Sequence, residues 1–224
     1  MQLIGPFKQL LPMSNLPIKG KLNDNDLPLI KSAGILVQNG CVKAVENFEK
    51  LYKEHKEELD HVEKLEGGFV ALPSFIDAHT HICFSGSRAK DYAMRNGGKS
   101  YLDIAKEGGG IWDTVTKTRA ASQVELVDGI LIRAKQLLNN GITTIEVKSG
   151  YGLSVAEEYK ILKAIQLANQ KTAIDLIPTC LAAHIFPKDY DGTIVNYLAE
   201  ISENLFPKIV AEKLCTRIDA FIEE

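Results

Sequence analysis

Cysteine is scarce in this chain of 224 residues: Cys41, Cys83, Cys180 and Cys215 are widely scattered, and no Cys-x-x-Cys pair occurs. The spacing argues against a zinc knuckle or a disulfide framework and for four reduced thiols in a cytoplasmic protein. A dominant charge of one sign is also missing. The formal net charge is -3, so nothing points to nucleic acid or an anionic membrane as partner. No apolar run approaches the ~20 residues that span a bilayer. Met1-Gln2-Leu3-Ile4-Gly5-Pro6-Phe7 lacks the basic start and long apolar core of a signal peptide. What is present, 45% hydrophobic and 25% charged residues, is ordinary for a soluble globular protein. The length suits one large domain, or one domain with a small neighbour.

Residues 1–70 read as a small, mostly β segment, taken as β-sandwich-like. Gly34-Ile35-Leu36-Val37-Gln38 is strand-like, Asn39-Gly40 is a hairpin turn signal, and Cys41-Val42-Lys43-Ala44-Val45 returns. Phe48, Leu51, Tyr52 and His55 recur at helical spacing, which predicts an exposed helix over Glu46 to Leu59. Val62 to Glu66 reads weakly as another strand.

Over residues 71–224 strands alternate with helices, the pattern of βα units and a parallel sheet. The strands are expected at Phe75 to His81, Ile142 to Val147, Ala173 to Thr179 and Ile218 to Ile222. Between the first two lies a long irregular stretch, His81 to Ser100, then a short helix from Tyr101 to Glu107 stopped by Gly108-Gly109-Gly110. That triple glycine reads either as a hinge or as a place where backbone approaches a ligand. Ser122-Gln123-Val124-Glu125 and Ser154-Val155-Ala156-Glu157 are capping boxes that open two amphipathic helices. Further helices are expected over Thr193 to Asn204 and Pro207 to Lys213.

The chemistry concentrates in Phe75-Ile76-Asp77-Ala78-His79-Thr80-His81. Alternate side chains of a strand share a face, so His79 and His81 point the same way and can grip one metal ion. The plainer reading is two histidines that end a strand and satisfy core hydrogen bonds. Position favours the former. His79 and His81 end the first strand, Lys148 and Tyr151 follow the second, and His184 follows the third. In a (β/α)₈ barrel such positions gather on the C-terminal face, where active sites sit. Lys148 and Tyr151 are ambiguous, since a tyrosine in a glycine-flanked loop can simply pack.

Together with Gly86-Ser87-Arg88, Gly108-Gly109-Gly110-Ile111, Glu146-Val147-Lys148-Ser149-Gly150-Tyr151-Gly152-Leu153 and Ala183-His184, this stretch resembles the imidazolonepropionase family of the metal-dependent amidohydrolase superfamily. The His-x-His marks only the superfamily; the Lys-Ser-Gly-Tyr-Gly-Leu run and the triple glycine are more specific. The resemblance covers nearly everything beyond residue 33. It implies an α/β fold, the N-terminal part of a TIM barrel. It implies His79 and His81 as metal ligands for one zinc or iron ion, and Arg88 as the fork that holds a propionate carboxylate. Tyr101 and Tyr151 would line the substrate pocket, and His184 would hydrogen-bond the imidazolone and polarise the carbonyl under attack. The implied reaction is hydrolysis of the ring amide of 4-imidazolone-5-propanoate to N-formimidoyl-L-glutamate.

The pattern departs from the family in two places. Ser74 stands where glycine is usual. More consequentially, a full barrel takes eight strands and about 250 residues, and only four strands are legible here. The family's remaining ligands belong to later strands, and Asp219, Glu223 and Glu224 do not replace them. The chain therefore reads as an N-terminal half that associates with a complementary half or with itself as a dimer. Other readings are a non-catalytic half-barrel and another cyclic amidohydrolase or deaminase of the superfamily.

Overall fold

Leu3 and Leu36 face each other directly across two antiparallel strands, and both are fully buried. Around that pair the first unit forms. The structure, a computed structural model, describes residues 1–222, and the chain divides into two compact units, Met1–Ser74 and Phe75 onward. In the first unit, strands β1 (Gln2–Leu10), β2 (Ile30–Gln38), β3 (Cys41–Asn47), β4 (His61–Lys64) and β5 (Val70–Ala71) make one sheet in the order β3-β2-β1-β4, with β5 also paired to β1. Helix α1 (Phe48–His55) brings Phe48 and Leu51 onto Leu3 and Leu36. The unit is thus one sheet carrying one helix.

One sequence expectation changes here, and one strand was not expected. The helix begins at Phe48, not Glu46, because Glu46 and Asn47 complete β3 and the Asn47 side chain accepts from the Lys50 N–H as the cap. Strand β1 gave no sequence signal because Gly5-Pro6 interrupts its alternation; the strand passes that point with a register shift between Ile4 and Phe7.

The second unit contains β6 (Phe75–Thr80), α2 (Ala89–Asn96), α3 (Tyr101–Lys106), α4 (Ile111–Ala120), α5 (Gln123–Asn139), β7 (Ile142–Lys148), α6 (Val155–Asn169), β8 (Asp175–Ala183), α7 (Ile194–Asn204), α8 (Phe206–Glu212) and β9 (Arg217–Ala220). All strand pairs are parallel, in the order β6-β7-β8-β9. The Ser122 box closes as expected, the serine hydroxyl accepting from the Glu125 N–H and the glutamate accepting from Ser122. Strand β8 runs on through Leu181-Ala182-Ala183, so His184 follows it directly.

The stretch expected to be irregular holds α2, and α4 follows the triple glycine. Neither shows an apolar stripe. The one buried residue of α2 is Asp91, and α4 buries Thr114, Val115 and Thr118.

One core cluster joins β7 and β8 to the helices: Ile145, Val147, Leu176 and Cys180 pack with residues such as Ile130 and Leu162. Glu146, Lys148 and Thr179 alternate with those strand residues and turn to the other face. These two strands thus bury one apolar face under helices and carry polar groups on the other. The outer strands leave large apolar side chains uncovered, with Phe75 60%, Ile76 71% and Ile218 58% exposed. Among the described residues, no helix is long and apolar enough to cross a membrane.

Ile130 on α5 is fully buried, and Ile132 on the same helix is 63% exposed. Ile130→Ala should destabilise the second unit by about 2–5 kcal/mol, against about 0.5 kcal/mol or less for Ile132→Ala, in urea unfolding of the two variants.

Candidate metal and substrate site

At the carboxyl end of β6 the backbone is fixed on both sides. The Asp77 carboxylate accepts from the His79 N–H at 3.3 Å, and the Thr80 hydroxyl donates to the Glu146 carbonyl at 2.6 Å. His79 and His81 project from this pinned end. The His81 ring lies 5.3 Å from that of His79, 5.6 Å from Tyr151 and 5.2 Å from His184, centre to centre, and stacks on His184. Tyr151 and His184 are themselves 5.6 Å apart. Four sequence-predicted residues from three strand ends therefore share one cluster.

Burial, reinforced by the neighbouring His184 and His79 imidazoles, pushes the His81 pKa down to about 4. His81 is accordingly neutral near pH 7, the form that binds metals. Among the described residues, its buried Nδ1 has no hydrogen-bond partner. Burial also raises the Tyr151 hydroxyl, against an opposing pull from the Arg88 charge, so Tyr151 stays protonated. The Gly150 carbonyl lies 2.9 Å from His184 Nδ1.

Beneath the rings lies a charged group that sequence reasoning had not assembled. Lys148 Nζ donates to Glu146 at 3.0 Å and to Asp219 at 2.6 Å, and the Thr179 hydroxyl donates to Glu146 at 2.8 Å. Burial opposes the charge on Glu146, but Thr179 and Lys148 outweigh it and hold its pKa below the usual carboxylate range. Burial also disfavours the Lys148 charge; Asp219 and Glu146 prevail and raise its pKa. Lys148 is thus a fixed cation, and Asp219 is engaged by it.

Arg88 occupies the N-cap position of α2, and its Nε pairs with Asp91. The same carboxylate accepts from the Gly110 N–H at 2.9 Å. A Cβ at Gly109 would fall 2.4 Å from Asp91 Oδ1, so the triple glycine lets backbone approach this carboxylate. Tyr101 opens α3, is 55% exposed, and makes no ring contact with the histidine cluster among the described residues. Asp91 was missed because a lone acid in a polar helix carries no signal.

The donor chemistry suits a metal in part. Two imidazoles on one tetrahedral zinc at about 2.0–2.1 Å hold their ring centres roughly 5 Å apart, close to the 5.3 Å between His79 and His81. Among the described residues, no group of three or more His, Cys, Asp or Glu could hold a metal ion.

No family model matches the chain. Curated relatives do. It is 46% identical over 159 residues to the imidazolonepropionase of Myxococcus xanthus, covering 71% of this chain and 38% of that protein. It is 35% identical to that of Clostridium tetani over 99% of this chain and 53% of the relative. It is 38% identical to that of Symbiobacterium thermophilum over 96% and 51%. Among solved structures, guanine deaminase from C. acetobutylicum superposes with a TM-score of 0.55 at 14% identity, over 99% of this chain and 46% of that one. E. coli guanine deaminase gives 0.52 at 16%, over 94% and 42%. These likenesses show an α/β fold shared with the two guanine deaminases. The chain spans about half the length of the curated relatives it matches, and by sequence it belongs to the imidazolonepropionase family.

Proposed function

We propose that this chain carries one half of an imidazolonepropionase site, within a (β/α)₈ barrel that further strands complete. The reaction is hydrolysis of the ring amide of 4-imidazolone-5-propanoate to N-formimidoyl-L-glutamate. The observation that carries the reading is the convergence of His79, His81, Tyr151 and His184 from three adjacent strand ends, in a chain 35% identical to an imidazolonepropionase over almost its whole length.

His79 and His81 would hold one zinc or iron ion. When bound, such an ion lowers the pKa of coordinated water and supplies hydroxide near neutral pH. Arg88 keeps its Nε on Asp91, which leaves its terminal amino groups to meet the propionate carboxylate. Tyr151 and Tyr101 line the substrate's path, and His184 meets the imidazolone. Four free cysteines fit a reducing cytoplasm.

A catalytic zinc site normally has three protein ligands, and the described residues offer two, His79 and His81. Exposed apolar residues on β6 and β9 and the unpaired outer edges of those strands fit pairing with further β-structure. We assign that role to a complementary half, continuous with this chain or separate, rather than to a second copy.

Three outcomes are expected. Replacing His79 and His81 together with alanine abolishes stoichiometric zinc or iron in elemental analysis; unchanged metal content removes both as ligands. In the chain assembled with the complementary half of a relative, Arg88→Ala raises KM about ten- to a hundredfold, as expected for losing a charge-assisted pair; an unaltered KM takes Arg88 out of the site. The isolated 224 residues show no turnover, and adding the complementary half restores it; full turnover by a monomer of this chain overturns the half-barrel reading.

A further inference from the structure

Glu158 takes no part in the site as described, yet it is completely buried. It lies in the first turn of α6, and its carboxylate faces the loop between β7 and α6. Oε2 accepts from the Gly150 N–H at 2.9 Å; Oε1 accepts from Gly152 at 2.7 Å and from Leu153 at 2.8 Å. A buried carboxylate is costly unless its oxygens are satisfied, and here three backbone donors satisfy it. The loop's carbonyls are held from the other side: Arg119 donates from Nε to Gly152 O at 2.6 Å and from Nη2 to Leu153 O at 3.1 Å.

Between these two charges the loop has little freedom. Leu153 is buried in the left-handed region at φ 51°, which an L-residue adopts only where its surroundings impose it. A Cβ on Gly152 would fall 2.5 Å from the Glu158 nitrogen, and one on Gly150 would fall 2.9 Å from the Leu181 carbonyl and 3.0 Å from His184 Nδ1. The glycines of this motif are therefore the residues that let backbone wrap a carboxylate and close on His184.

The wrapping has a chemical consequence. Gly150, whose N–H is tied to Glu158, presents its carbonyl to His184 Nδ1 at 2.9 Å. A carbonyl only accepts, so Nδ1 carries the proton. The lone pair of a neutral His184 is then on Nε2. In that form His184 accepts a hydrogen bond or a proton through Nε2; to polarise a carbonyl it must first become imidazolium.

We propose that Glu158 is a positioning residue that, by ordering the Gly150–Leu153 backbone, sets the Nδ1–H tautomer of His184 and the place of Tyr151. The assignment of a role to His184 rests on the imidazolonepropionase reading; the tautomer and the loop order do not.

The test uses the 224-residue chain and needs no turnover. Amide hydrogen exchange should show Gly150, Gly152 and Leu153 strongly protected relative to random-coil rates, and ¹⁵N spectra at about pH 8, where an ordinary imidazole is neutral, should show a single Nδ1-protonated His184. Glu158→Gln should reduce the protection about tenfold or more, the scale of losing hydrogen bonds to a charged group, and mix the tautomers. Glu157→Gln, which changes the neighbouring acid, should leave both signals unaltered. Unprotected loop amides in the unsubstituted chain overturn the proposal whether or not the variant folds. So does a folded Glu158→Gln chain whose His184 keeps one tautomer. A complemented enzyme that fails to hydrolyse 4-imidazolone-5-propanoate counts against the functional reading alone.

Discussion

Strand alternation in β7 decides where the chemistry sits. Ile145 and Val147 are fully buried under the helices, and that burial forces Glu146 and Lys148 onto the opposite face. A slip of one residue would exchange the two sets and place a carboxylate and an ammonium in the apolar core. The hydrophobic effect thus positions the polar face without acting on it. Each buried aliphatic side chain on the helix side contributes on the order of 1.5–3 kcal/mol, whereas the Glu146–Lys148–Asp219 group is poor evidence of stability, since desolvation offsets much of its Coulomb attraction.

What that charged group does is electrostatic. Lys148 is locked as a cation by two carboxylates, and with the neighbouring His184 and His79 rings it opposes a proton on His81. Glu146 pulls the other way and is outweighed. The result is a neutral imidazole whose buried Nδ1 has no hydrogen-bond partner among the described residues. Burial is the largest cause, so His81 depends more on its packing beside Tyr151 and His184 than on any single charge.

The sequence revealed elements in proportion to how they are buried. Helices α5 and α6 present apolar stripes with serine caps, and both were legible to within a residue. Helix α2 was not, because it packs through Asp91, and α4 was not, because two of its three buried residues are threonines. Strand β1 was hidden by Gly5-Pro6. In the site, His79 and His81 were visible as a period-two pair and Tyr151 and His184 as residues at strand ends. Glu158 and Asp91 were invisible. Each acts through backbone N–H groups of glycine-containing loops, a relation that no spacing in the chain encodes. Their traces were the glycines themselves, read at Gly108–Gly110 as either a hinge or a place where backbone approaches a ligand, and at Gly150 and Gly152 as motif letters.

Fold and function lie on opposite faces of one sheet. The helix-covered face closes its own core with residues of this unit, from Ile82 to Leu214. The polar face is closed only in part. Two carboxylates share the cation of Lys148, the rings converge on His81, and the outer strands leave Phe75, Ile76 and Ile218 uncovered. A unit of this kind can hold its backbone in place, and under the proposed function its chemistry would draw on groups from outside the four strands. The two kinds of variant should therefore separate. Changes on the helix face act on stability, whereas under the proposed function changes at His79, His81 or Arg88 would act on metal and substrate and leave the core intact. Glu158 bridges the two: it is buried with the core, but its three hydrogen bonds end in the loop that orders the site.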